Sequence, residues 1–348
     1  MTNTIKKNVS RSVSEIHIFV LFSGLAALSW EVIWQLKSTL ALGVSAWGTA
    51  ITLAVTMGGM SLGSVLMGYL LKDKSSVRPL RLYGILELIV GISGLCLTSA
   101  FGFIETFDGW AYQAIPDSIE WIHLLGIVCA LGIPTLCLGA TIPIIGLASK
   151  QYGTSISVLY GLNTLGAAGG ALIAAFLLIP FFGVLFTIFI ISSINIIIGI
   201  MALSLDKGAY TPEKSQPKTG LASEFTSFQE FLIVFVTGFA TFTLEIAWFR
   251  SLTAAFLSTT IAFSIMLCAV LLALGLGARI VPYLRSRKAS LGALLSISGI
   301  LILCATPIIE RFDYFTTSVT DSHPYLLFVK WFFLLFYVIG APVLFLGV

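Results

Sequence analysis

Charge is what this sequence has least of. Only 10% of its 348 residues are Asp, Glu, Lys or Arg, against about 25% in an ordinary soluble domain. A soluble fold of this size needs a wettable surface, and so few charges cannot supply one. The net charge is +3, which leaves no basic patch for nucleic acid, so no nucleic-acid partner is expected. There are three histidines, His17, His123 and His323, far apart in the chain and read as interfacial or loop side chains. The five cysteines (Cys96, Cys129, Cys137, Cys268, Cys304) stand singly in apolar segments without a CxxC pair. They read as small packing residues, not as ligands or a disulfide framework. No metal and no cofactor is expected. There is no nucleophile-elbow sequence and no soluble segment able to hold a catalytic domain, so no enzyme is visible in the chain itself.

Long apolar segments take the place of what is missing. Apolar residues make up 57% of the chain and its mean hydropathy is +1.02. A bilayer core needs about 20 apolar residues per helix. Segments of at least that length run over 17–41, 46–71, 80–104, 121–149, 154–180, 183–205, 229–256, 259–283, 289–310 and 325–348. The expected fold is therefore an all-α polytopic membrane protein of about ten transmembrane helices, with the lipid bilayer as its first partner. The first segment is too long for a cleavable signal, and no small-residue cleavage site precedes the next span.

The charges that remain are sorted by side. Lys6, Lys7 and Arg11 precede span one, and Lys72, Lys74, Arg78 and Arg81 follow span two. Lys150 follows span four, Lys207, Lys214 and Lys218 follow span six, and Arg279, Arg285, Arg287 and Lys288 follow span eight. The opposite loops are acidic or neutral, with Glu105, Asp108, Asp117 and Glu120 between spans three and four. The positive-inside rule then places the amino terminus on the cytoplasmic side of an inner (plasma) membrane. The expected division is a cytoplasmic segment 1–16, a six-helix unit 17–205, a cytoplasmic linker 206–227 and a four-helix unit 228–348.

The two units are copies. Span one has Gly24, Ala27, Glu31 and Trp34 where span seven has Gly238, Thr241, Glu245 and Trp248, all at one constant offset along the chain. Gly63 of span two meets Gly277 of span eight at the same offset, and Pro134 to Gly139 of span four recurs as Pro342 to Gly347. Six helices per unit is an even number, so both copies enter from the same side, a parallel repeat of the major-facilitator kind. The second copy stops part-way through its fourth helix, which leads us to expect a natural chain that continues past Val348.

Glu31 lies about 21 Å into its span at 1.5 Å per residue, and Glu245 is similarly deep. An ionisable group at that depth costs at least ~2.5–3.5 kcal/mol, and marks a candidate functional site. Trp34 and Gln35 share its helix face, and Trp248 follows Glu245 as Trp34 follows Glu31. A carboxylate beside an aromatic ring suits a cationic, amine-bearing ligand. Low polarity also favours the uncharged carboxyl group, which makes proton coupling available. The alternative is that both carboxyl groups only hold helices together. Glu87, Asn163 and Asn195 are further polar groups within spans, read as interhelical bonds or cavity lining. Lys37 and Arg250 read as side chains snorkelling to the outer surface. The glycines from Gly161 to Gly170 have small-xxx-small spacing without a preceding strand, which points to tight helix packing and not to a phosphate loop.

Gly24 to Trp34, Met57 to Gly63, Pro79 to Tyr83, Pro134 to Pro143 and Leu159 to Ala167 together resemble one family. It is the membrane part of the fused major-facilitator/spermidine synthases, and the resemblance covers nearly all of 17–348. It implies polyamine chemistry nearby and a fused or separate aminopropyltransferase-like domain, in which any catalysis would reside. Three readings stay open: a transporter-like module for a small cationic, amine-bearing metabolite with Glu31 and Glu245 as cation or proton sites; the membrane part of a bifunctional enzyme; and an anchor or scaffold. An oligomer is compatible with each.

Overall fold

The computed structural model describes residues 2–43, 45–72, 74, 76–115, 119–206, 208–211, 227–287, 290–312, 314 and 324–346. In hydrocarbon every backbone N–H and C=O must be satisfied within the segment, and the helix is the single-segment solution. The chain accordingly runs α1 (Thr2–Leu42), α2 (Ala46–Lys72), α3 (Pro79–Ala114), α4 (Ile119–Tyr152), α5 (Ile156–Ile173), a π-helical turn (Ala174–Leu178) and α6 (Ile179–Ser204). It continues with α7 (Ser227–Phe256), α8 (Thr259–Ser286), α9 (Leu291–Glu310) and α10 (Pro324–Leu346). Among the described residues nine helices are long and apolar enough to cross a bilayer.

The longest of the nine, Ile156–Ser204, has 49 residues, or about 73 Å at helical rise, more than twice a bilayer core. It is two crossings. Gly183 breaks the helix with φ 76° and ψ 170°, a backbone conformation open to glycine and costly for other residues. The leg before it packs on α1 and α8, and the leg after it on α3 and α1. Among the described residues ten crossings result, with the break at the boundary between the expected spans 154–180 and 183–205. The protein is an all-α polytopic membrane protein.

Helix α1 is the pivot of the bundle. Its Ile33 and Trp34 are buried in one apolar core with Trp30, Phe101 and Ile127. Its Val32 is buried in the other with Phe249, Phe263, Met266 and Ile339. Contact with α5 is close enough to depend on glycine: a β-carbon at Gly166 or Gly170 would overlap the carbonyl oxygen of Leu21 or Leu25. Helix α2 packs on α4 in the first unit, and α8 packs on α10 in the second.

The basic loops meet at one end of the bundle. Val77 and Tyr210 exchange backbone hydrogen bonds of 2.9 and 2.6 Å, and Arg78 lies 3.7 Å from Asp206. The Gln151 amide donates to the Gly208 carbonyl at 3.2 Å, and His17 Nε2 and Thr154 Oγ1 share a hydrogen bond of 2.9 Å. These contacts fasten the start of the linker to the first unit. Residue 207 and residues 212–226 of the expected linker 206–227 lie outside the described residues. At the other end His123 and Asp108 pair at 2.5 Å, tying α4 to α3.

Candidate functional site

Glu31 on α1 and Glu245 on α7 stand at the offset of the repeat. Both are buried, at 5% and 7% exposure. Among the described residues Glu31 Oε2 has no hydrogen-bond partner. One turn further along α1, the Gln35 amide donates to Thr39 Oγ1 at 3.4 Å and to Thr49 Oγ1 at 3.3 Å. Both hydroxyl protons are already committed, Thr39 to the Gln35 carbonyl and Thr49 to that of Ser45. That leaves Gln35 Oε1 without a donor, and Ser38 Oγ beside it is also unpartnered. The α1 face thus carries buried, unpaired acceptors on successive turns. Such groups cost about 1–3 kcal/mol each when left unmade.

Above Gln35 a cavity of about 650 Å³ opens at the end opposite the basic loops. Thr39 and Thr49, the partners of Gln35, form part of its wall, with Ser45, Thr253 and Thr259. Two pairs among these, Thr39 with Thr253 and Ser45 with Thr259, stand at the offset of the repeat. So do Glu31 and Glu245 beneath. The cavity therefore sits where the ends of α1 and α7 meet the starts of α2 and α8. The turns that frame it are also matched: Gly43 ends α1 with φ 79°, and Leu257, its counterpart at the same offset, ends α7 with φ 53°. Ser45 Oγ caps the Gly48 N–H at 2.9 Å and Ser258 Oγ the Ile261 N–H at 3.3 Å.

The remaining sequence candidates lie elsewhere. Trp34 stacks on Trp30, with ring centroids 6.2 Å apart, inside the first core. Trp248 is buried in the second. Neither ring is part of the cavity wall. Glu87 is fully buried between α1, α3 and α6; it accepts from Ser23 Oγ at 2.5 Å and from the Asn195 amide at 2.6 Å. Asn195 in turn accepts from Trp30 Nε1 at 2.8 Å. This is a closed network holding three helices together. Asn163 lies against Gly24, on the turns of α1 before Glu31.

Spacing along the chain does not single out Thr39, Thr49, Thr253 or Arg250 as cavity residues. Threonines are frequent in these helices, and the position of Arg250 near a span end reads as reaching for the outer surface. Its exposed side chain is part of the cavity wall. The signal that could have found the threonines is the repeat itself, since positions 39 and 253 both carry Thr at the common offset. No protein-family model matches the chain, and no curated protein matches it either.

Proposed function

We propose that the protein is a transporter-like module that binds a small amine-bearing metabolite between its two helical units, with Glu31 and Glu245 as the cation or proton site. The observation that carries this reading is the run of unpaired buried acceptors, Glu31 Oε2 and Gln35 Oε1, beneath a cavity between the repeats. An ammonium group has three N–H donors and a positive charge, which complements acceptors that lack donors and a carboxyl pair without a described cation. Each buried carboxyl group is costly in hydrocarbon when charged, and a bound cation or a proton offsets that cost. Sites of this kind lie at the repeat interface of transporters, where rocking of one unit against the other gives alternating access. A cavity placed at the end opposite the basic loops suits one state of such a cycle, with the basic end cytoplasmic in a plasma membrane.

The resemblance to the membrane part of fused major-facilitator/spermidine synthases points the same way, toward an amine-bearing ligand. The test uses the whole chain in liposomes with labelled 1,5-diaminopentane and 5-aminopentanoate, two amines of equal chain length. Uptake of at least one is expected, and the double variant Glu31→Gln/Glu245→Gln is expected to abolish it. Uptake retained in the folded double variant would overturn the reading.

A further inference from the structure

The repeat makes the polar seat nearly symmetric, and the places where symmetry fails describe the ligand. Gln35 and Thr49, joined by a hydrogen bond of 3.3 Å, have Phe249 and Phe263 as their counterparts at the offset of the repeat. Those two rings meet edge to face with centroids 5.5 Å apart. Of these four, Thr49 and Phe249 are in the cavity wall, a hydroxyl on one unit answered by a ring on the other. The third break is charge: Arg250 stands where the first unit has Leu36. Arg250 is the cation of the cavity wall, and among the described residues no carboxylate pairs with it.

Resting on the function proposed above, we infer that the cavity takes a zwitterion, an amine whose carbon chain also carries a carboxylate, with the carboxylate held by Arg250. The guanidinium is a planar fork of donors that matches a carboxylate in two parallel hydrogen bonds. Thr39 and Thr253, on either side, are hydroxyls of the same wall. Along α7, Arg250 lies five residues beyond Glu245, about 7.5 Å of helical rise. The guanidinium is thus in the cavity wall, and the two buried carboxyl groups lie deeper along their helices, outside that wall. Several carbons between amine and carboxylate span that separation. A ligand with positive charges only would bring a second ammonium group toward Arg250 and meet repulsion. A volume of about 650 Å³ is within the range of small-molecule sites.

Three probes of one chain length test this by calorimetric titration of the whole protein in lipid nanodiscs: 5-aminopentanoate, 1,5-diaminopentane and pentanoate. The zwitterion is expected to bind at least tenfold more tightly than either of the others. Arg250→Gln is expected to remove its advantage over the diamine, and Arg250→Lys, which keeps the charge and loses the fork, to retain only part of it. Because Arg250 is exposed, neither substitution disturbs packing. Equal or tighter binding of the diamine to the unaltered protein overturns the zwitterion while leaving the amine site standing. So does a preference that survives Arg250→Gln, which would leave Arg250 as a side chain reaching for lipid phosphate. If neither amine binds, or if Glu31→Gln and Glu245→Gln change neither affinity, the amine site and the zwitterion fall together.

Discussion

Gly169 and Gly170 are neighbours on α5, and alanine at each should move stability in opposite directions. At Gly170 the added β-carbon would meet the Leu25 carbonyl oxygen well inside the 3.4 Å at which ordinary contact begins, so α1 and α5 must part locally. That separation also strains the Ser29 hydroxyl, which donates to the Leu25 carbonyl at 2.8 Å and to the Gly170 carbonyl at 3.0 Å. Overpacking of this kind costs typically ~1–3 kcal/mol. At Gly169 nothing lies within 4 Å of the new carbon, and the change relieves the entropic cost of a helical glycine, about 0.5–1 kcal/mol. The two variants should therefore differ by roughly 1.5–4 kcal/mol. Equilibrium unfolding in mixed detergent micelles, followed by far-ultraviolet circular dichroism, measures both. If Gly170→Ala is as stable as the parent, or Gly169→Ala is the weaker of the two, then α1 and α5 do not cross as described.

Two further substitutions probe the network and the turn. Glu87→Ala leaves Ser23 and Asn195 without their acceptor and should destabilise by about 1–3 kcal/mol for each orphaned group; an unfolding midpoint unchanged from the parent would show that Glu87 does not hold α1, α3 and α6 together. Leu257 is exposed at 91% and held at φ 53°, so Leu257→Gly gives up little burial. It should stabilise the α7–α8 turn by about 0.5–1 kcal/mol, the left-handed strain of leucine less the entropy of glycine, and a loss in the same unfolding assay would count against that conformation.

The crossings were legible because hydropathy is a local property: about 20 apolar residues cross a bilayer whatever surrounds them. Even the division of the run Ile156–Ser204 was readable, since Pro180 and Gly183 interrupt it. The constant offset between the two copies was equally legible, and with it the pairing of Glu31 with Glu245 as equivalents. Where these two carboxyl groups lie in the bundle is a different kind of fact. It depends on how α1 and α7 turn about their own axes, and lateral packing is set by the joint fit of many side chains on several helices. Trp34 and Trp248 illustrate the point. Each stands three residues after its Glu, close enough to share a helix face by spacing, yet each is drawn into the apolar core of its own unit. Glu87 was visible as a buried carboxyl group, but its partners Ser23 and Asn195 are 64 and 108 residues away. By itself the sequence determined the membrane fold, its crossings and its repeat, because each is written in spacing along the chain. Which polar groups share one cavity, and which are closed into structural networks, was decided only by tertiary structure, because a buried polar group takes its meaning from the partners that packing brings to it.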